Sequence, residues 1–260
     1  PTDDPAKPVR WTVQVDVTPG PISHVGTVLV AFAPEDFAPP TAIPARSQAM
    51  QARVREEWQL PTGRGFTQTA WDDAKAHALR ALTVDGFPNA RLVGSLADVD
   101  TEANQVNLAV EIATGPLVIL GPVEVEGLSR YDRQWIENLV RASGVLAGNP
   151  YRLQDLQVAQ QRLAQSGYFD SVFVYVDPGA DPSAAPIRVQ VREATRGRLS
   201  LGVGVSTDSG PRLSAEHVWN RVPGLDWRAL SKLTLERDHQ NLETEWRTPI
   251  DVKGWQWLTR

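Results

Sequence analysis

Apolar positions recur along the chain with two different periods, and each switch between them marks an element. From Arg10 to Val17 the alternation is strict, with Trp11, Val13, Val15 and Val17 on one side and Arg10, Thr12, Gln14 and Asp16 on the other. A period of two predicts a half-buried strand. Thr18-Pro19-Gly20-Pro21 closes it, and residues 1–8 read as a Pro/Asp-rich linker. Further on, Met50, Val54 and Trp58 recur every four residues, and Trp71, Ala74, Ala78 and Leu82 keep helical spacing too. The second of these helices is expected to start at Thr69 as N-cap, with Asp72 three positions on. Tyr131, Trp135 and Leu139 predict a third helix, opened by Ser129 with Asp132. Leu153, Leu156, Ala159 and Leu163 predict a fourth, stopping at Gly167, a residue suited to the left-handed position beyond a helix.

These elements belong to an internal repeat. Gly20-Pro21-Ile22-Ser23-His24-Val25-Gly26-Thr27-Val28-Leu29-Val30 aligns without gaps to Gly115-Pro116-Leu117-Val118-Ile119-Leu120-Gly121-Pro122-Val123-Glu124-Val125. Each copy is a Gly-Pro turn, a short apolar run, a glycine and a strand with alternating valines, followed by two helices. Both second helices end alike, as Asp85-Gly86-Phe87-Pro88-Asn89-Ala90 and Ser166-Gly167-Tyr168-Phe169-Asp170-Ser171. A hairpin completes each copy. In the first, Arg91–Leu96 is expected to pair with Val106–Ile112. In the second, Val172, Val174 and Val176 lead through Pro178-Gly179-Ala180-Asp181-Pro182 to Ile187, Val189 and Val191. The unit is therefore strand-helix-helix-strand-strand.

Beyond Arg196-Gly197 the period of two returns, cleanly in the first segment and less cleanly in those that follow. Leu199, Leu201, Val203 and Val205 face one way, and Ser200, Gly202, Gly204 and Ser206 the other. Leu213, Ala215, His217 and Trp219 oppose Ser214, Glu216 and Asn220. Trp227, Ala229, Leu233 and Leu235 oppose Lys232, Thr234 and Glu236. Leu242, Thr244 and Trp246 oppose Asn241, Glu243, Glu245 and Arg247. Segments of about ten residues, apolar on one face and polar on the other, with Trp near their ends, fit transmembrane β-barrel strands. The same alternation also occurs in antiparallel sheets wetted on one face. Four or so strands cannot close a barrel, which takes at least about eight, so only its beginning is expected here. Pro1-Thr2-Asp3-Asp4-Pro5 has no features of a signal peptide, and Gly254-Trp255-Gln256-Trp257-Leu258-Thr259-Arg260 stops within its pattern. The expectation is a fragment of a longer protein.

Composition narrows the function. Lys and Arg number 26 against 31 Asp and Glu, a net charge of −5, which argues against a nucleic-acid partner. Residues 196–260 carry +2 and the rest −7. There is no Cys, so disulfides, thiolate metal sites and cysteine nucleophiles are excluded. No apolar run is long enough for a spanning helix. His24, His77, His217 and His239 are scattered with no metal-ligand spacing. Gly202-Val203-Gly204 lacks the third glycine and following helix of a dinucleotide loop, and Gly204-Val205-Ser206-Thr207-Asp208 is not a nucleophile elbow. Glu56-Glu57 and Asp72-Asp73 are adjacent pairs that point to different helix faces. No cofactor, metal site or catalytic residue is expected.

A β-α-α-β-β unit closing in Gly167-Tyr168-Phe169-Asp170 resembles the POTRA domain of the outer-membrane β-barrel assembly superfamily. Arg198-Leu199-Ser200-Leu201-Gly202-Val203-Gly204-Val205-Ser206-Thr207-Asp208-Ser209-Gly210-Pro211-Arg212 resembles the first barrel hairpin of that superfamily, nearest to its TamA branch. The first copy departs from the pattern, with Gly86-Phe87-Pro88 where Gly-Tyr-Phe is the rule. The resemblance implies an α+β architecture: the end of a truncated unit and a linker over residues 1–19, POTRA units over 20–115 and 116–195, and the first antiparallel strands of a transmembrane barrel over 196–260.

It also implies sites. The strand after each second helix would be an open sheet edge, able to take an extended client by β-augmentation: Arg91, Leu92 and Val93 in one unit, Ser171, Val172, Phe173, Val174 and Tyr175 in the other. The first barrel strand, Leu199, Ser200, Leu201, Gly202, Val203, Gly204 and Val205, would form a lateral seam loosened by its glycines. Implied partners are unfolded outer-membrane protein clients, outer-membrane lipid and an inner-membrane-anchored TamB-like protein, with the units in the periplasm of a Gram-negative cell. A two-partner secretion transporter and a purely periplasmic peptide-binding scaffold are the competing expectations.

Overall fold

The computed structural model describes residues 14, 16, 20–33, 44–206, 210–225, 227–237, 239–249, 251 and 255–260. The linker over 1–8 and the strand over 10–17 lie outside these residues, apart from Gln14 and Asp16. The first unit comprises β1 (His24–Phe32), α1 (Pro44–Glu56), α2 (Gln68–Thr83), β2 (Arg91–Asp100) and β3 (Gln105–Ala113). The second comprises β4 (Leu120–Glu126), α3 (Arg133–Ala142), α4 (Leu153–Gln165), β5 (Phe169–Val176) and β6 (Ala185–Glu193). Each has a three-stranded sheet, in the orders β1-β3-β2 and β4-β6-β5, with its middle strand parallel to one neighbour and antiparallel to the other.

The helical stripes read from the sequence form the cores. In the first unit Met50, Val54, Trp58, Trp71, Ala74, Ala78 and Leu82 are buried against Val106, Leu108, Val110 and Ile112 of β3. In the second, Trp135, Leu139, Leu156, Ala159 and Leu163 meet Ile187, Val189 and Val191 of β6, with Tyr131 and Leu153 packed at the margin. Phe87 and Tyr168, the aromatics after the two helix-ending glycines, are both fully buried. Gly86 and Gly167 have φ of +93° and +79°, the left-handed geometry expected of them.

Two helix starts differ from expectation. Thr67, not Thr69, caps α2, its side chain accepting from Ala70 N. Asp132, not Ser129, caps α3, accepting from Gln134 N. In each case a nearby residue of the right type occupies the extended backbone position that an N-cap requires. β2 also runs four residues past Leu96, to Asp100.

The repeated glycine has a common purpose. The β1–β3 register shifts between Val25 and Val28, and the β4–β6 register shifts between Leu120 and Val123, so Gly26 and Gly121 sit at equivalent bulges. A Cβ on Gly26 would lie 2.7 Å from Asn107 Oδ1, and one on Gly121 would lie 2.4 Å from the Ala184 carbonyl oxygen. Backbone gives way less readily than a side chain. Gly121→Ala is therefore expected to destabilise the second unit by about 1–3 kcal/mol, read as a lower denaturation midpoint, and Gly26→Ala by less.

The units are joined through main chain. Gly86 N–H donates to Tyr151 O and Gly86 O accepts from Val118 N–H, both at 2.9 Å, while Leu153 N–H donates to Val84 O at 2.9 Å. Asp85 pairs with Arg46 at 2.6 Å and approaches Arg152 at 3.8 Å.

The remaining strands are β7 (Gly197–Ser206), β8 (Gly210–Trp219), β9 (Arg228–Glu236), β10 (Gln240–Arg247) and β11 (Leu258–Thr259). They form one antiparallel meander in the order β11-β10-β9-β8-β7, with a short fifth strand where the pattern predicted about four.

Candidate functional site

Register sets most apolar residues of the meander on one face, although the row from Leu199 continues through His217, Ser231 and Thr244 and the opposite face includes Val218 and Leu230. Leu201 faces Ala215 and then Leu233 and Leu242, while Val203 faces Leu213 and Leu235. On the reverse face Ser200, Glu216, Lys232 and Glu243 lie in one row, and Arg212 pairs with Glu236 at 3.5 Å. The apolar face has no cover: Leu199, Leu201, Val203 and Val205 are 63%, 76%, 84% and 87% exposed. Trp219, Trp227, Trp246, Trp255 and Trp257 all lie at the end of the sheet nearest the second unit. The reading of Trp near strand ends thus sharpens to one end. β7 is an edge strand; a Cβ on Gly204 would meet nothing within 4 Å, whereas one on Gly202 would meet Ser214 Oγ at 2.6 Å.

The other expected site residues lie on two separate sheets. β2 and β5 are both edge strands. On β2, Arg91 is exposed, Leu92 packs on the core, and Val93 projects at the bulge between Leu92 and Gly94. Leu96 and Val99, farther along the same edge, are also exposed; the shorter expected strand left Val99 out. On β5, Val172 and Val174 are buried under the helices, Ser171 is half-buried, and Phe173 and Tyr175 stand on the open face.

Between the second unit and the meander lies a polar junction with no local sequence signal at its centre, where Arg130 and Glu193 are 63 residues apart. Glu193, at the end of β6, has a side chain only 4% exposed and meets the Arg130 guanidinium at 2.7 Å. It also accepts from the main-chain N–H groups of Ser129 and Arg130, both at 2.8 Å, and from Ser129 Oγ at 2.8 Å. Ser129 is thus committed to Glu193 rather than to a helix cap. Burial alone would raise the Glu193 carboxyl; the Arg130 and Ser129 main-chain donors, then their side chains, outweigh it and hold it at about 2.

Arg221 donates to Arg130 O at 2.5 Å, and Tyr131 Oη donates to Asn220 O at 3.2 Å. Asn220 is buried and uses every polar group: N–H to Arg196 O, Nδ2 to Thr195 O, and Oδ1 accepting from Arg228 Nε. Gly167 completes the contact, since a Cβ there would lie 2.8 Å from the Arg228 guanidinium. A cavity of about 310 Å³ opens beside the junction, lined by Arg130, Tyr131, Asp132, Trp135, Tyr168, Arg221 and Pro249.

Among the described residues there is no group of three His, Asp or Glu side chains able to hold a metal ion. Among the described residues no helix is long and apolar enough to cross a membrane, which has no bearing on crossing by strands.

Two β-α-α-β-β units followed by an antiparallel meander with a bare apolar face define the class: POTRA-like units set ahead of the opening strands of a β-barrel. Such an arrangement is found in BamA from Haemophilus ducreyi lacking POTRA domains 1–3, to which the chain is similar at 14% identity and a TM-score of 0.62, over 90% of this chain and 41% of that one. It is also similar to CdiB from Acinetobacter baumannii, at 13% identity and a TM-score of 0.47, over 95% of this chain and 45% of that one. The chain therefore spans about two fifths of the BamA structure it matches, and the likeness is one of fold. No protein-family model matches the chain.

Proposed function

We propose that this chain is the periplasmic and first-strand part of an outer-membrane protein assembly or translocation factor, with units over 20–115 and 116–195 and barrel strands over 196–260. The observation that carries this reading is the bare apolar face of β7–β10, attached to units whose sheets end in edge strands. An uncovered apolar face of this extent is costly in water and suited to lipid. Its Trp-rich end fits the interfacial belt of the inner leaflet.

In this reading extended clients add to Arg91–Val93 and Ser171–Tyr175 by main-chain hydrogen bonds, which ask little of client sequence. They then pass to a lateral seam at Leu199–Val205. The reading involves no catalysis and no cofactor. The Gly-Tyr-Phe-Asp segment and the first hairpin favour the TamA-like branch, with unfolded outer-membrane proteins as clients and an inner-membrane-anchored TamB-like partner; co-purification with that partner is the check on the branch.

The seam is tested by Gly204→Val. Glycine weakens a strand by roughly 0.5–1 kcal/mol, and space is open at this position, so valine is expected to tighten β7 without disturbing β8. Insertion of client barrels by the full-length variant should fall several-fold while its own folding is unchanged. Undiminished insertion would sink the seam.

A further inference from the structure

The two edge strands are not equivalent. Gln160, on the outer surface of α4, accepts at Oε1 from the main-chain N–H of Val174 at 3.1 Å. Val174 lies within edge strand β5, so a side-chain oxygen stands where the carbonyl of an added strand would accept that proton. Edges are commonly blunted by charge, proline or bulges. Ser171–Val176 carries no charge and no proline, and this hydrogen bond supplies a different kind of cover. It is possible because α4 packs along β5.

The first unit lacks the device. Seven residues before the helix-ending glycines stand Leu79 and Gln160, and the residues of β2 that sit in mid-strand as Val174 does opposite Val189 are Ser95 and Ala97, opposite Val110 and Leu108. Leu79 has no acceptor and packs on its core. α2 makes no contact with β2 comparable to that of α4 with β5. β2 also offers Leu96 beside Asp98 and Asp100 on its open face.

We propose that Gln160 guards the β5 edge, so that an extended segment with alternating apolar side chains and a basic end is taken first by β2, and by β5 only once Gln160 lets go of Val174. This inference rests on the strand-capture reading above and adds an order to it. The apolar side chains of the segment would lie beside Val93 and Leu96, and its basic end beside Asp98 and Asp100.

The chain has no cysteine, so single reporters are clean. Leu96→Cys or Phe173→Cys is introduced into the full chain, with and without Gln160→Ala. Each is mixed with a short synthetic peptide of alternating threonine and valine, with lysine at one end and a single cysteine activated as its 2-thiopyridyl disulfide, and capture by thiol–disulfide exchange is timed by the thiopyridone released. Capture at Leu96→Cys is expected to be the faster. Gln160→Ala should speed capture at Phe173→Cys by about 3- to 10-fold, the equivalent of one neutral hydrogen bond, and leave Leu96→Cys unchanged. Amide exchange at Val174 should quicken in Gln160→Ala and stay slow in Gln160→Glu, which keeps the acceptor. Capture at Leu96→Cys with no gain at Phe173→Cys on losing Gln160 overturns the guard alone. No capture at either reporter in either background overturns strand capture itself, and the guard with it.

Discussion

Arg130→Ala is expected to lower the stability of the second unit by about 3–5 kcal/mol, the usual cost of stripping the partner from a buried charge. The Glu193 side chain is 4% exposed and the Arg130 side chain 20% exposed, so little water reaches the carboxylate to offset loss of the guanidinium. The main-chain donors of Ser129 and Arg130 stay in place, which pulls the figure toward the lower end. Replacing both partners, as in Arg130→Met with Glu193→Leu, should cost less than Arg130→Ala, because it leaves no orphaned charge. Urea denaturation followed by tryptophan fluorescence reads both; an unchanged midpoint in Arg130→Ala would show that the pair contributes nothing.

The pair also sets an acid limit. The Glu193 carboxyl sits at about 2 in the folded chain and near 4.3 in an unfolded one. A carboxyl lowered by folding stabilises the fold fully above its unfolded value and loses that contribution as pH falls toward its folded value. The junction should therefore hold above about pH 4.3 and weaken toward pH 2. Arg130→Ala should begin to weaken at a higher pH.

If the apolar face meets lipid as proposed, Leu201→Lys is expected to cost about 2–4 kcal/mol of membrane folding in the full-length protein, the penalty for a cation facing lipid near the bilayer midplane. Leu201 stands in mid-strand and is 76% exposed. Ser200→Lys is the control one residue away. It faces the other side, directly opposite Glu216, and should be close to neutral. Folding into lipid vesicles, read by the gel-mobility shift between folded and heated barrel, separates the two. Equal yields from both variants would mean that the apolar face does not meet lipid.

The periods of two and of four residues carried most of the architecture, because each unit buries one sheet face under the apolar stripes of two helices and β7 alternates throughout. The repeated glycine was legible as a repeat, but its cause was not: the carbonyl that crowds Gly121 belongs to Ala184, in the turn just ahead of β6 and more than sixty residues along the chain. Thr67 and Thr69 are chemically the same choice, and only backbone conformation selects the cap. The Arg130–Glu193 pair brings together residues from opposite ends of the second unit. Gln160 is one of five glutamines between Gln154 and Gln165, and nothing local distinguishes it from its neighbours on a polar helix face. Candidate edges can therefore be read from the order of elements, whereas their occupancy depends on which side chain happens to reach them.

The main-chain stitching at Gly86 has a mechanical consequence. Its N–H and carbonyl both bind the second unit, and Asp85 beside it stands between arginines of both, so no slack tether separates the two bodies. In the proposed reading, tension on a client held at β2 would therefore be passed to the second unit and its Arg130–Glu193 pair rather than absorbed on the way.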